Sequence, residues 1–374
     1  MALTNFAALT SEQLTVWSRD WWREARNKTF IMSFAGTSTN SMVQRITALS
    51  TRNDGARAVV TLVNESTGDG VVGDNTLEGN EEALRTSDMV IEIDQWRHAH
   101  ANTGRMADQR SVVKFREVAR DHLAFSSARV MDELAFLTLS GVGYGLRPNG
   151  APRVGSQLPQ LAFAGRVTAP SARRHVRWTG NATGLAAGDT SLVAASHTPS
   201  WAMLVELKAR AVTEYIRPIR SEGGVEMYNV FMSPQGIARL KRDADFLAAW
   251  QHAQKRGDDN PLFSGTEHGG KRGIYIDGLN ILEYRNVFNT TGAAVGSKWG
   301  AGGAIDGQRV LLCGAQALAF ADIGDATWEE ETSDYKNRYG VSVAKTCGML
   351  KPRLFSSWAN SVQDFSVLAC DTAI

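Results

Sequence analysis

Lys271 closes the stretch Gly265-Thr-Glu-His-Gly-Gly270-Lys271, which fits the GxxxxGK spacing of a phosphate-cradling loop. That chemistry needs a preceding strand, a following helix N-terminus, and a Ser or Thr after the lysine to hold magnesium. Here Asn260-Pro261 precedes, Arg272 takes the magnesium position, and Gly273-Ile-Tyr-Ile-Asp is strand-like. The stretch reads as a surface turn. His98 and His100 sit at i and i+2 on a strand-like segment, so they share a face and could bind a metal, but no Cys or third His lies nearby in sequence. Their plainer reading is exposed strand histidines. No GxSxG, HExxH or calcium-loop pattern occurs. The three cysteines, Cys313, Cys347 and Cys370, are too few and scattered for a disulfide framework or a zinc site. The sequence yields no catalytic, cofactor-binding or metal constellation.

Two charge blocks stand out instead. Residues 64–84 contain Glu65, Asp69, Asp74, Glu78, Glu81 and Glu82 with no Lys or Arg. Residues 144–178 contain Arg147, Arg153, Arg166, Arg173, Arg174 and Arg177 with no Asp or Glu. Solvated loops would explain each block alone. Both together suit contacts between copies of one chain, because opposed patches orient partners. Glu329-Glu330-Glu331 reads as a solvated face.

The elements carrying these residues are unusual. Residues 10–27 open with a capping box, Thr10 to Gln13, and place Leu14, Trp17, Trp21 and Ala25 at helical spacing. Indoles on so short a helix suggest docking, with Trp17 and Trp21 as candidates for contact with another chain. The Ser- and Thr-rich stretch 36–53 reads as an extended arm or linker. Residues 56–63 and 89–95 read as strands, and the 25 residues between them exceed any ordinary hairpin loop. A helix is expected over 107–140, since Val112, Phe115, Ala119, Leu123, Val130, Leu134 and Leu137 recur near a 3.6 period before Gly141. At 1.5 Å per residue it would be about 50 Å long, a spine rather than part of a small enzyme.

Residues 144–190 read as loops and short strands. Thr198 is then expected to cap a helix with Pro199 first and a stripe of Trp201, Leu204, Val205, Lys208, Ala211 and Tyr215. Strand-like 227–232 precedes a helical region from Ser233-Pro234 to near Gly257. Residues 274–284 and 310–320 look like buried strands, and the last 40 residues read as strands.

Composition narrows the function classes. Across 374 residues, 40 Lys and Arg oppose 39 Asp and Glu, a net charge of +1. That balance argues against a dedicated nucleic-acid binder and against a polyacidic or disordered chain. The longest nearly apolar run, 310–321, has 12 residues, short of the roughly 20 a membrane helix needs. No positive region precedes Glu12, so no signal peptide is expected, and the reading is a soluble protein made in a cytosol.

The order of these parts resembles the major capsid proteins of tailed bacteriophages, and more closely the family typified by a short-tailed phage coat protein. The carrying residues are Gly73-Asp-Asn-Thr-Leu-Glu-Gly-Asn-Glu-Glu82, Ile93-Asp94-Gln95 with Arg97, and Gly104-Arg105 with Gln109-Arg110. Further on come Asp334-Tyr335, Asn337, Gly340-Val341, Gly348, Lys351-Pro352 and Phe355. The likeness covers roughly 50–140 and 225–370, and the 144–195 insertion matches no family pattern.

The resemblance implies an α+β fold shared with encapsulins and the herpesvirus capsid floor. Its parts would be an N-terminal arm (1–52), an extended hairpin loop (53–106), the spine helix and insertion of a peripheral domain (107–197), an axial domain (198–330), and C-terminal strands returning to the peripheral domain (331–374). It implies a structural subunit, not an enzyme, forming hexamers and pentamers of an icosahedral shell around double-stranded DNA. Scaffold, portal and decoration proteins would be partners, contact with packaged DNA would be weak and non-specific, and no membrane or cofactor is involved. The place would be the virion capsid, assembled in the host cytoplasm. Alternatives are an encapsulin-like nanocompartment shell and a nucleotide-binding enzyme using Lys271.

Overall fold

Strands buried at nearly every position are covered on both faces. Three such strands, β9 (Glu226–Met232), β12 (Gly307–Cys313) and β17 (Val367–Ala373), form the centre of this protein. The computed structural model describes residues 29–47, 57–63, 70–81, 86–106, 115–220, 224–254, 274–356 and 358–374. An eight-stranded mixed sheet runs β10 (Ile274–Ile276), β11 (Leu279–Glu283), β9, β12, β17, β6 (His175–Trp178), β7 (Leu185–Ala187), with β8 (Ile219–Arg220) paired to β9. Phe231, Leu311 and Ala369 face one core with helix α1 (Phe115–Ser140). Val230, Leu312 and Leu368 face the other, with α2 (Trp201–Thr213), α3 (Pro234–Leu240) and α4 (Ala244–Gln254).

A second sheet has the order β1 (Ala35–Gly36), β2 (Val43–Ile46), β13 (Leu318–Ser333), β14 (Arg338–Leu350), β5 (Asp94–Ala101). Its Phe320, Val341, Val343 and Met349 share the core of α1. The spine is therefore buried between two sheets, which explains why so many successive residues near its C-terminal end are buried. Ala119, Leu123, Val130, Leu134 and Leu137 are buried as their period predicts, while Val112 and the rest of 107–114 lie outside the described residues. At 26 residues the described helix is about 39 Å long. It ends in a Schellman motif: Gly141 has φ +67°, its N–H donates to Thr138, and the Val142 N–H donates to the Leu137 carbonyl at 3.0 Å.

Two hairpins complete the molecule, β3 (Arg57–Val63) with β4 (Thr86–Glu92), and β15 (Arg353–Ser356) with β16 (Ser361–Asp364).

Several expectations need correction. The arm at 36–53 is not merely extended, since Val43–Ile46 pairs in parallel with β13 and buries Met42 and Val43. The expected strand 89–95 joins the end of β4 to the start of β5, because alternation continues through Ile93 and hides the break. Ser200, not Thr198, caps α2, accepting from the Met203 N–H. The buried stripe of α2 is Met203, Leu204, Leu207 and Ala211; Val205 is 47% exposed and Tyr215 58%. Lys208 instead pairs with Asp277 at 2.6 Å. The buried segments 274–284 and 310–320 each split in two, at Asp277-Gly278, both with positive φ, and at Gln316. Residues 330 and 331 both lie in β13, and β17 joins the sheet of β9 and β12.

Candidate inter-subunit surface

The acidic block sits at the far end of the β3–β4 stem. Of its six carboxylates, Asp74, Glu78 and Glu81 are described, and all three are exposed; Glu65, Asp69 and Glu82 lie outside the described residues, as do Trp17, Trp21 and the Gly265–Lys271 stretch. Gly79, at φ +90°, turns the chain there, its N–H donating to Glu81 Oε2 at 2.9 Å. Asn75 Nδ2 donates to the Val72 carbonyl and Asn80 Nδ2 to that of Thr76. The loop thus carries its own turns while Leu77 stays 62% exposed.

The six arginines divide. Arg153 is spent inside its own subunit, pairing with Glu133 of α1 at 2.5 Å and donating to the Leu146 carbonyl. Arg174 is also internal, 5% exposed, with Nε donating to the Asp364 carbonyl at 3.2 Å. Arg153 and Arg174 face inward, so the six arginines do not form one exposed patch. Arg166 reaches Glu92 at the hairpin base at 2.6 Å, and the Ala162 N–H donates to Asp94, so the insertion braces the extended loop. Arg173 pairs loosely with Glu214, and Arg177 donates to the carbonyls of Ala187 and Leu192. Arg147 is exposed.

Behind Arg174 lies a cleft of about 580 Å³ between the C-terminal end of α2, strands β8 and β9, and the β15–β16 hairpin. At its rim Tyr215 and Trp358 stack at 5.0 Å between ring centres, both more than half exposed. Sequence reasoning missed this pair. Helical spacing puts Tyr215 on the apolar stripe of α2, and nothing local brings residue 358 to it.

Other titratable groups are structural. His175 and Arg309 hold the buried Asp371 carboxylate, at 2.6 and 2.7 Å. Asp364 is held by Lys351 at 2.9 Å and Arg353 at 2.8 Å. His98 and His100 lie side by side on β5, as their spacing predicts, 5.1 Å between ring centres. Burial first, then the charges of His100 and Arg129, lowers the His98 pKa. Among the described residues no cluster of three or more His, Cys, Asp or Glu could hold a metal. The Cys347 thiol is pushed up to about 12 by burial, and Cys313 and Cys370 are raised too, so none is a ready thiolate.

Residues from separate resemblance motifs converge around β14. The Arg105 N–H donates to Asn337 Oδ1, and Arg105 Nη2 donates to the Tyr339 hydroxyl, both at 3.3 Å.

Comparison with known proteins gives consistent matches. The sequence profile described as phage capsid protein matches residues 5–374. The major capsid protein of Pseudomonas phage KPP25 is 53% identical over 367 residues, 98% of this chain and 96% of that one. The capsid of Ralstonia phage GP4 superposes with a TM-score of 0.74 at 25% identity, covering 100% of this chain and 95% of that one. The cyanophage Pam1 capsid shares the fold, with a TM-score of 0.67 at 18% identity over 100% and 96% of the two chains.

Proposed function

This chain belongs to the phage capsid protein family, and from that premise we propose that it is the subunit whose copies build the shell of a phage head. The observation carrying this reading is the 53% identity to a major capsid protein across nearly the whole of both chains. The geometry supports it: the long hairpin ends in an exposed acidic loop, an element that a lone subunit leaves uncovered. Copies would meet head to tail, with rotation closing rings of six and five. The acidic loop would lie across a neighbour and meet cations there.

The near-zero net charge suits a container that must release the double-stranded DNA it packages. Scaffold and portal proteins would direct assembly in the host cytoplasm, and the spine with the extended loop would form the peripheral part around an axial region near 198–330. No observation favours a nanocompartment shell or a nucleotide enzyme at Lys271. Negative-stain microscopy of the expressed protein, with a scaffold supplied, should show closed shells. A stable monomer under every condition would overturn the reading.

A further inference from the structure

The cleft beside Arg174 is lined by three arginines, Arg174, Arg217 and Arg220, and three carboxylates, Glu214, Glu226 and Asp364. Its lining carboxylates are all engaged: Glu214 by Arg210 at 2.9 Å, Glu226 by Arg220 at 3.3 Å, and Asp364 by Lys351 and Arg353. Two lining arginines have no carboxylate hydrogen-bonded to them among the described residues. Arg217 donates to the Gln316 side chain, and Arg174 Nη1, buried, has no hydrogen-bond partner. An unpartnered buried guanidinium nitrogen is costly, so the site is built for an acceptor the isolated subunit lacks. Beside it stands the exposed Tyr215–Trp358 stack, an aromatic platform of the kind that anchors interfaces.

We propose that this cleft is the socket for the acidic loop of a second copy of the chain, with the Glu78 carboxylate meeting Arg174 and Arg217 and Leu77 packing on Tyr215 and Trp358. The inference rests on the shell reading above and names the contact within it. Charge selects the occupant: the 64–84 block carries six carboxylates and no cation. Its described tip offers an exposed leucine next to an exposed glutamate, matching an aromatic rim beside Arg217 and the unpartnered Nη1 of Arg174. None of residues 70–81 lines the cleft of its own subunit. A DNA duplex fits less well, because phosphates are met by exposed cations, whereas Arg174 is only 5% exposed.

Carbodiimide–amine labelling of carboxylates, read by mass spectrometry, tests this on wild-type protein. Glu78 should label in free subunits and lose its labelling in assembled shells. A double variant, Glu78→Cys with Trp358→Cys, changes only exposed positions, and the native cysteines are buried. Mild oxidation of its shells should give a ladder of covalently linked subunits that neither single variant gives. Shells whose Glu78 labels fully, or a ladder from Glu78→Cys alone, would overturn the socket and leave the capsid reading standing. Absence of wild-type shells would overturn both, since the socket needs a second copy.

Discussion

Asp364 shows what single buried charges do in this protein. Its carboxylate has no exposure and accepts from Lys351, Arg353 and the Ser171 N–H, tying the β15–β16 hairpin to the insertion. Removing one member of a buried pair strands the others, so Asp364→Ala should cost about 3–5 kcal/mol, read as a fall in the urea midpoint of unassembled subunits. Asp371 contributes an acid sensitivity of its own. Burial alone would raise its pKa, but the charge of Arg309 and the His175 bond outweigh it and hold the carboxyl below the ordinary aspartate value. A depressed folded pKa gives stability that is present above the unfolded pKa and lost as pH falls through the folded one. Subunit stability should therefore drop below about pH 4, and Asp371→Asn should flatten that drop while lowering stability at neutral pH. His98 acts higher on the scale. Its lowered pKa means the unfolded chain takes up a proton first, so acidification through about pH 6.5 weakens the fold, and His98→Gln should reduce that slope in urea titrations at several pH values.

At the scale of elements, the spine helix organises its neighbours through one carboxylate. Asp132, buried on α1, accepts from the N–H groups of Phe30 and Ile31 at 2.9 and 2.8 Å and from the Tyr284 hydroxyl. Phe30 in turn stacks on Tyr284 at 4.0 Å. One side chain thus fastens the segment leading out of the N-terminal arm to both the spine and the end of β11. Asp132→Ala would leave two backbone donors without acceptors, at about 1–3 kcal/mol each if they stay buried. The expected result is faster proteolysis near residues 29–34 with the remaining chain still folded. Leu123, fully buried on the same helix, tests the spine itself. Leu123→Asp should abolish soluble subunits before assembly begins, and a wild-type yield of folded mutant would contradict the packing of α1.

The whole molecule is a subunit with surfaces left for its copies. Exposed ion pairs are worth about 1 kcal/mol or less each, yet a shell repeats every contact, so small terms decide register. Reversing Glu78 and Glu81 to Lys should block or misdirect shells, visible by microscopy, while circular dichroism shows a folded subunit. Reversing the exposed Arg217, which the socket sets against Glu78, to Glu in that background should partly restore shells. Arg174 is unsuited to that exchange, because its reversal would bury a carboxylate beside Asp364.

The period of Leu123, Val130, Leu134 and Leu137 determined the spine, since one buried stripe every 3.6 residues is a local property of a helix. The strands 57–63 and 226–232 and the Ser233 cap were legible for the same reason: alternation and capping are set by neighbours in sequence. The acidic loop and the motifs carrying the capsid resemblance could also be read directly. Which face of α2 is buried could not, because the sheet beneath it, not its own periodicity, chose Met203 and Leu207 over Val205. The Ser- and Thr-rich arm became strand β2 only because β13 offered a free edge to it. Likewise, six arginines in one block look alike in sequence. Folding sent Arg153 and Arg174 inward to acceptors far along the chain, and set Tyr215 against Trp358, 143 residues away. Such contacts depend on where distant segments meet in space, and that was decided by the tertiary structure alone.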